Sequence, residues 1–198
     1  MKKIIPSKLY PGDTIRVIAP SKSLSTLTKE QIAIAEKRLT DMGFSVVYGK
    51  HVSEMDDFHT SPIASRIEDL HEAFLDKNCK AILAAGGGYS SNQLLRHIDW
   101  QLIRDNPKIF CGYSDITTLV TAIYTKTGLI TYSGPNFASF SDQVQYIYTV
   151  EYFKKCLMET GSYGVTRVMN GTIIPGVIKL QSIAMKDFGL CKRANARV

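Results

Sequence analysis

The chain has 198 residues, enough for one large domain or for one domain and part of a second. Hydrophobic residues make up 44% and charged residues 21%, which predicts a globular core that needs neither a metal nor disulfides to fold. The net charge of +6 is scattered, and its one dense basic group is Lys192, Arg193 and Arg197. Because no basic stripe is visible, nucleic acid is not a predicted partner.

The N-terminus and the cysteines both predict a cytoplasmic protein. Two early lysines are followed by prolines rather than by a long apolar stretch, so neither a signal peptide nor a membrane span is expected. Cys79, Cys111, Cys156 and Cys191 have no metal-ligand spacing. We therefore expect free thiols in a reducing compartment, with no metal and no membrane partner.

Strand and helix patterns alternate along the first part of the chain. The predicted strands are residues 14–20, 44–48, 80–85 and 108–111. A capping box at Thr28 and Gln31 begins one helix, which ends near Gly43, and Ser61 with Pro62 begins another. The later strands are apolar on both sides, as when helices cover both faces of a sheet. The order predicts an α/β fold with an open, mostly parallel sheet.

The signal weakens towards the end of the chain. We predict an α/β domain over residues 1–140, a linker and helix over 141–170, and the beginning of a second domain over 171–198. Within these ranges, residues 148–158 favour a helix and residues 171–176 the start of a strand.

Ser114 lies between a predicted strand and a predicted helix. The strand ends at Cys111 and the helix begins at Asp115, so the serine sits in a sharp turn at the carboxyl edge of the sheet. The positive end of the helix dipole and the amide of Asp115 could stabilise an oxyanion there. An ordinary helix N-cap is the alternative interpretation of the same serine.

Three glycines, Gly86 to Gly88, follow the third predicted strand at the same edge. Such a run lets the backbone approach a ligand closely, and the amide of Gly87 or Gly88 could be a second oxyanion donor. A plain tight turn and a phosphate cradle are the alternatives. The cradle is the weaker one, because the run lacks both the Walker lysine and the G-x-G-x-x-G spacing.

Four segments together resemble the L,D-carboxypeptidase family, and most closely its microcin-immunity branch. They are residues 11–21, 81–95, 106–119 and 128–140. The resemblance implies a serine peptidase with an amidotransferase-like first domain and a smaller second domain. Its members act in the cytoplasm without a cofactor and often form homodimers. They cleave muropeptides at L,D bonds during peptidoglycan recycling, or cleave microcin-like peptidyl nucleotides.

The resemblance also implies roles for individual residues. Ser114 is the implied nucleophile, and the amides of Gly88 and Asp115 form the implied oxyanion hole. Gly87, Tyr89 and Ser133 are implied to contact the small peptide or muropeptide substrate.

The end of the chain departs from the family pattern. Family members complete a catalytic triad with a Glu and a His from the second domain, whereas here residues 175–178 diverge and the last part matches nothing in the family. His51, His59, His71 and His97 all lie in the first domain, and we expect them at surfaces or helix edges. A serine without a base is barely activated, so we expect a truncated and nearly inactive chain.

Two other functions remain open from the sequence. One is a binding module that kept the pocket and lost the chemistry. The other is an amidotransferase-like enzyme that uses Cys111, although this cysteine precedes the turn that Ser114 occupies. We also expect an exposed apolar face where a second domain would pack, and hence self-association.

Overall fold

A five-stranded sheet with helices on both faces organises the chain up to Glu159. The computed structural model describes residues 2–144, 146–169 and 172–180. The strands are β1 Thr14–Ile18, β2 Ser45–Tyr48, β3 Cys79–Ala84, β4 Ile109–Gly112, β5 Tyr132–Ser133, β6 Tyr163–Met169 and β7 Thr172–Leu180. The α-helices are α1 Lys29–Asp41, α2 Ile63–Leu75, α3 Trp100–Asp105, α4 Thr117–Thr127 and α5 Tyr146–Leu157. Short 3-10 helices occupy Leu24–Thr26, Ser91–Arg96, Ser114–Ile116 and Phe137–Ser141.

The strand order of the sheet creates a natural ligand site. The order is β2-β1-β3-β4-β5, and every neighbouring pair is parallel. Strand β2 lies on one side of β1, whereas β3, β4 and β5 follow one another on its other side. The direction in which successive strands are added therefore reverses between β1 and β3. Crevices at the carboxyl ends of strands beside such a reversal are where open α/β sheets bind ligands. The predicted α/β fold with an open parallel sheet is confirmed.

Alternate residues of the central strands point into two separate apolar cores. In β1, Val17 packs with residues of α1 and α5, whereas Ile18 packs on the opposite face with residues of α2, α3 and α4. In β4, Cys111 and Phe110 divide between the same two faces. Both faces are therefore buried, which explains why these strands show no polar alternation in the sequence.

The predicted N-terminal cap is present at helix α1 and absent at helix α2. At α1 the predicted capping box is present, because the Thr28 hydroxyl accepts from the Gln31 amide and the Gln31 side chain accepts from the Thr28 amide. At α2, Ser61 was expected to be the cap, but Pro62 occupies the cap position and no side chain caps the helix. Ser61 is instead buried, with 2% of its surface exposed.

The first compact unit extends to residue 159, beyond the predicted boundary at 140. Helix α5 belongs to it, because Phe153 and Leu157 lie in the core that covers one face of the sheet. The N-terminal segment is tied to the same region, since the Leu9 amide donates to the Leu157 carbonyl at 2.8 Å. The Ile4 amide likewise donates to the Gly128 carbonyl at 2.9 Å, close to β5.

A second unit begins at Thr160 and contains the antiparallel pair β6 and β7. The strand predicted to start within residues 171–176 corresponds to β7. The basic group at Lys192, Arg193 and Arg197, together with Cys191, lies outside the described residues. In the ranges that the structure describes, we find no helix that is both long and apolar enough for a membrane span.

Candidate active site

The turn after β4 holds Ser114 in a strained conformation. Tyr113 continues the extended backbone of the strand, and Ser114, with a φ of 64°, begins the 3-10 turn that leads into α4. A left-handed backbone is uncommon for a residue other than glycine and costs about 1–3 kcal/mol unless the surroundings enforce it. The residue before it is anchored, because the Asn136 side chain accepts a hydrogen bond from the Tyr113 amide at 3.1 Å. Such a turn is the hallmark of a nucleophile elbow.

The side chain of Ser114 is exposed and faces the glycine run. A Cβ atom added to Gly87 would lie 3.0 Å from the Ser114 Cβ and 3.1 Å from its Oγ. Gly88 has a φ of 153°, and a Cβ there would lie only 2.2 Å from the Ser21 Oγ. The absence of side chains at these positions therefore allows the loop after β3 to approach the serine closely.

A cavity of about 320 Å³ opens in front of the serine. Its walls come from the loops after β1, β3, β4 and β5. The lining residues are Lys22, Ser23, Thr26, Leu27, Ala85, Gly86, Gly87, Gly88, Tyr113, Ser114, Asn136 and Ala138. The amides of Gly86, Gly87 and Gly88 donate no hydrogen bond to any other residue that the structure describes. They are therefore available to a ligand, as oxyanion donors must be.

The Asp115 carboxylate links the loops after β1, β3 and β4 by hydrogen bonds. It accepts hydrogen bonds from the Ser21 hydroxyl at 2.6 Å and from the Ser91 amide at 2.9 Å, and the Ser91 hydroxyl donates to the Asp115 carbonyl. Burial acts to raise the pKa of Asp115, but the hydrogen bonds from Ser21 and Ser91 outweigh it and hold the pKa below its ordinary value. The side chain of Asp115 thus stays ionised and orients the residues around the serine.

A buried arginine supports the same loops from beneath. Arg66 of α2 is 3% exposed and donates to the carbonyls of Pro20 and Ser90 and to the side chain of Gln93. Burial lowers its pKa, and it forms no ion pair with a carboxylate of the described residues. Its guanidinium therefore acts as a structural clamp between the loops after β1 and β3.

Neither a histidine nor an acidic residue lines the cavity within the described part of the chain. His51 pairs with Glu54 and Glu68 beyond β2, and the His71 ring accepts from the Asp99 amide at 3.0 Å. Nor do the described residues include a group of three or more His, Cys, Asp or Glu side chains that could hold a metal ion.

Cys111 is unsuited to nucleophilic chemistry. It lies in β4, is 1% exposed, and does not line the cavity. Burial raises its pKa, so the reactive thiolate form is strongly disfavoured. The burial of this thiol therefore does not support the amidotransferase-like alternative.

The structure brings together some of the predicted site residues and not others. Gly87, Gly88 and Ser114 line one cavity, whereas Asp115 lies just behind it. Tyr89 is 60% exposed and donates through its hydroxyl to the Phe58 carbonyl, outside the cavity wall. Ser133 pairs in register with Gly112 and is exposed, and it does not line the cavity either. Roles for these residues in binding or catalysis stay predictions.

Fold and site together define an α/β domain that presents a strained, exposed serine at the carboxyl edge of its sheet. The profile of the LD-carboxypeptidase N-terminal domain matches residues 15–134. That match covers more than half of the chain, so the chain belongs to the LD-carboxypeptidase family. The resemblance drawn from four segments of the sequence is thereby confirmed.

Individual relatives agree with the family match. The crystal structure of an MccF-like protein from Bacillus anthracis strain Ames is 54% identical with a TM-score of 0.81, covering 83% of this chain and 50% of that chain. YocD of Bacillus subtilis strain 168, a carboxypeptidase by name, is 49% identical over 150 residues, which are 76% of this chain and 46% of YocD. The microcin C7 self-immunity protein MccF of Escherichia coli is 35% identical over 132 residues, 67% of this chain and 38% of MccF. The chain thus spans half or less of the length of each.

Proposed function

We propose that the protein is a serine carboxypeptidase and that Ser114 is its nucleophile. The observation that carries this proposal is the left-handed turn at Ser114, which presents an exposed hydroxyl to the glycine run across an open cavity. A backbone strained in this way persists at functional sites because neighbouring contacts hold it there. Membership of the LD-carboxypeptidase family supports a peptidase activity in general.

The chemistry would proceed through an acyl-enzyme. The Ser114 Oγ forms a bond to the carbonyl carbon of an L,D peptide bond while its proton passes to a base. The amides of Gly88 and Asp115 stabilise the resulting oxyanion, and the C–N bond then breaks as the terminal amino acid leaves with a proton. Water hydrolyses the ester in the second half of the reaction and frees the serine.

The base that this reaction needs is not a histidine or glutamate of the described cavity wall. The family resemblance implies a Glu and a His from a second domain, whereas no histidine or glutamate among the described residues lines the cavity. Residues 181–198 contain neither residue type in their sequence. We therefore expect the 198-residue polypeptide on its own to hydrolyse peptides at least ~10³-fold more slowly than a complete triad would.

Two relatives guide the choice of substrate. One relative is named a murein tetrapeptide carboxypeptidase, and MccF was solved with aspartyl sulfamoyl adenosine. For this protein we propose a short peptide substrate, either a muropeptide met in peptidoglycan recycling or a microcin-like peptidyl nucleotide.

Cys79, Cys111 and Cys156 are free thiols, which suits the reducing cytoplasm as the place of action. A homodimer is the proposed assembly.

A non-catalytic binding module is the second candidate function. It is favoured by the same lack of a histidine or glutamate among the described residues that line the cavity. Such a module would use the glycine amides and the cavity to hold a peptide without cleaving it. The two candidates differ in one measurable property, which is the reactivity of the Ser114 hydroxyl.

A fluorophosphonate probe distinguishes the two candidates. We expect slow covalent labelling of the wild type that is lost in Ser114→Ala, because the probe reports an activated hydroxyl. Ser45→Ala is the matched control, since Ser45 is an exposed serine at the start of β2, away from the cavity. Mass spectrometry of the labelled peptide identifies the site. Peptide binding without labelling would favour the module, and labelling that survives in Ser114→Ala would contradict both the nucleophile and the mechanism.

A further inference from the structure

The cavity in front of Ser114 has a single charged side chain among the described residues that line it. Lys22 is that residue, and the others are glycines, alanines, a leucine and neutral polar or aromatic residues. No carboxylate lines this cavity in the described part of the chain. The described wall of this cavity therefore includes one basic residue and no acidic residue.

Lys22 is held against the glycine run. Its amide donates to the Gly87 carbonyl at 3.2 Å, and its Cγ lies 3.1 Å from the position that a Cβ on Gly88 would occupy. The lysine stem therefore fills space left by the absent side chain of Gly88. The residue is exposed, and its ammonium forms no ion pair with any aspartate or glutamate that the structure describes.

Several other polar groups of the wall are already engaged within the protein. The Ser23 hydroxyl donates to the Val52 carbonyl, and the Thr26 hydroxyl donates to the Ser23 carbonyl at 2.8 Å. The side-chain Oδ1 of Asn136 accepts from the Tyr113 amide. The Lys22 ammonium is thus the charged group of the wall that remains for a ligand, together with the Ser114 hydroxyl and the glycine amides.

We propose that Lys22 binds the free carboxylate of the amino acid that is released from the substrate. The inference rests on the proposed carboxypeptidase function and deepens it by assigning a recognition residue. In such a substrate the terminal carboxylate lies three bonds beyond the scissile carbonyl, within about 4 Å of it. A cation that recognises it must therefore lie beside the oxyanion donors, and Lys22 contacts both Gly87 and Gly88.

A matched pair of ligands tests this assignment without relying on turnover. N-acetyl-L-alanyl-D-alanine carries the carboxylate, and its C-terminal amide has nearly the same shape without the charge. NMR titrations give the dissociation constants for the wild type, Lys22→Met, Lys22→Arg and Lys77→Met. Lys77 is an exposed lysine just before β3, at the opposite edge of the sheet, so its variant has the same net charge as Lys22→Met.

For the wild type and Lys77→Met we expect the acid to bind at least about tenfold more tightly than the amide, because a charge-assisted hydrogen bond is lost with the amide. Lys22→Met should bind the acid about tenfold more weakly and the amide unchanged, whereas Lys22→Arg should keep most of the preference. The preference should shrink with added salt, since the site is open to water.

Three outcomes would overturn the assignment: equal binding of acid and amide by the wild type, a preference that survives in Lys22→Met, or no binding of either ligand. Fluorophosphonate labelling of the same preparations separates this inference from the proposed function. Labelling of Ser114 in both wild type and Lys22→Met, with no acid preference, would reject the role of Lys22 alone. A Lys22-dependent preference without any labelling would reject the serine chemistry and leave a carboxylate-binding site.

Discussion

The two edges of the parallel sheet differ in how their polar groups are paired. Near the amino ends of the strands, Arg16 and Asp76 form an ion pair at 2.9 Å, and the Lys108 ammonium donates to the Asp76 carbonyl at 2.6 Å. At the carboxyl ends, a left-handed Ser114 faces glycine amides, and Lys22 has no carboxylate partner among the described residues. Paired charges thus lie at the amino ends of the strands. The strained backbone and the unpaired hydrogen-bond donors lie at the carboxyl ends, where a ligand can bind to these donors.

Gly88→Ala should affect the carboxyl edge most strongly. The added Cβ would lie 2.2 Å from the Ser21 Oγ, at a φ of 153° that side chains rarely adopt. We expect a loss of about 3 kcal/mol in the free energy of unfolding and at least ~10-fold slower labelling of Ser114. Urea denaturation measures the first effect. Gly86→Ala is the control, because a Cβ there meets nothing within 4 Å, and similar losses in both variants would refute the steric argument.

Asp76→Asn should weaken the amino edge and leave the site intact. It leaves the Arg16 guanidinium, whose side chain is 19% exposed, without its ionic partner. We expect a loss of about 2 kcal/mol in stability with unchanged fluorophosphonate labelling, because a partly buried charge is left unpaired. Asp41→Asn removes the exposed pair with Lys37 and should cost less than about 0.5 kcal/mol. Reduced labelling in Asp76→Asn would show that the two edges are coupled.

Asp115→Asn should remove the contribution of this carboxylate to the pH dependence of the free energy of unfolding. The pKa of Asp115 is lowered in the folded protein, so its ionised form contributes stability above its ordinary pKa, and that contribution is lost as the pH falls through the lowered value. We expect the variant to be about 1.5 kcal/mol less stable at pH 7, with the difference narrowing as the pH falls below the ordinary aspartate pKa of about 4. Urea unfolding at pH 7 and at acidic pH measures the difference in the free energy of unfolding between the variant and the wild type. The exposed Asp57→Asn should show no difference at either pH.

Ser114→Gly should stabilise the protein while abolishing labelling. Glycine adopts a φ of 64° without steric strain, so we expect a gain of about 1 kcal/mol in the free energy of unfolding. Thermal or urea unfolding measures the gain. Ser45→Gly, at an ordinary strand position in β2, should instead lose about 0.5–1 kcal/mol. A destabilised Ser114→Gly would mean that the turn is not strained.

Local signals predicted much of the fold and the strand-to-helix turn that holds Ser114, the proposed nucleophile. The capping box of Thr28 and Gln31 involves neighbours along the chain, so the start of α1 follows from the sequence alone. Ser114 could be located in the same way, because a strand pattern and a helix pattern meet at it. Strand β5, by contrast, has two residues and exists through its pairing with β4, which leaves too short a pattern to detect.

The supporting contacts of the site could not be predicted from the sequence. Ser21 and Asp115 are 94 positions apart in the chain, and nothing in either segment indicates that they meet. Arg66 lies in an amphipathic helix, where an arginine normally indicates the solvent face, yet it is buried beneath the cavity. Its role appears only once the loops after β1 and β3 are folded above it. Long-range polar contacts of this kind leave no periodic pattern.

The bond between Leu9 and Leu157 brings the beginning of the first unit next to its end. Neighbouring termini allow circular permutation of a domain, because a short linker can join them while new termini are placed in an exposed loop. A circular permutant of residues 1–159 could therefore begin in the exposed segment around residues 53–58 and keep every strand of the sheet. We expect the sheet that carries Ser114 to keep its architecture when the chain begins at this other point.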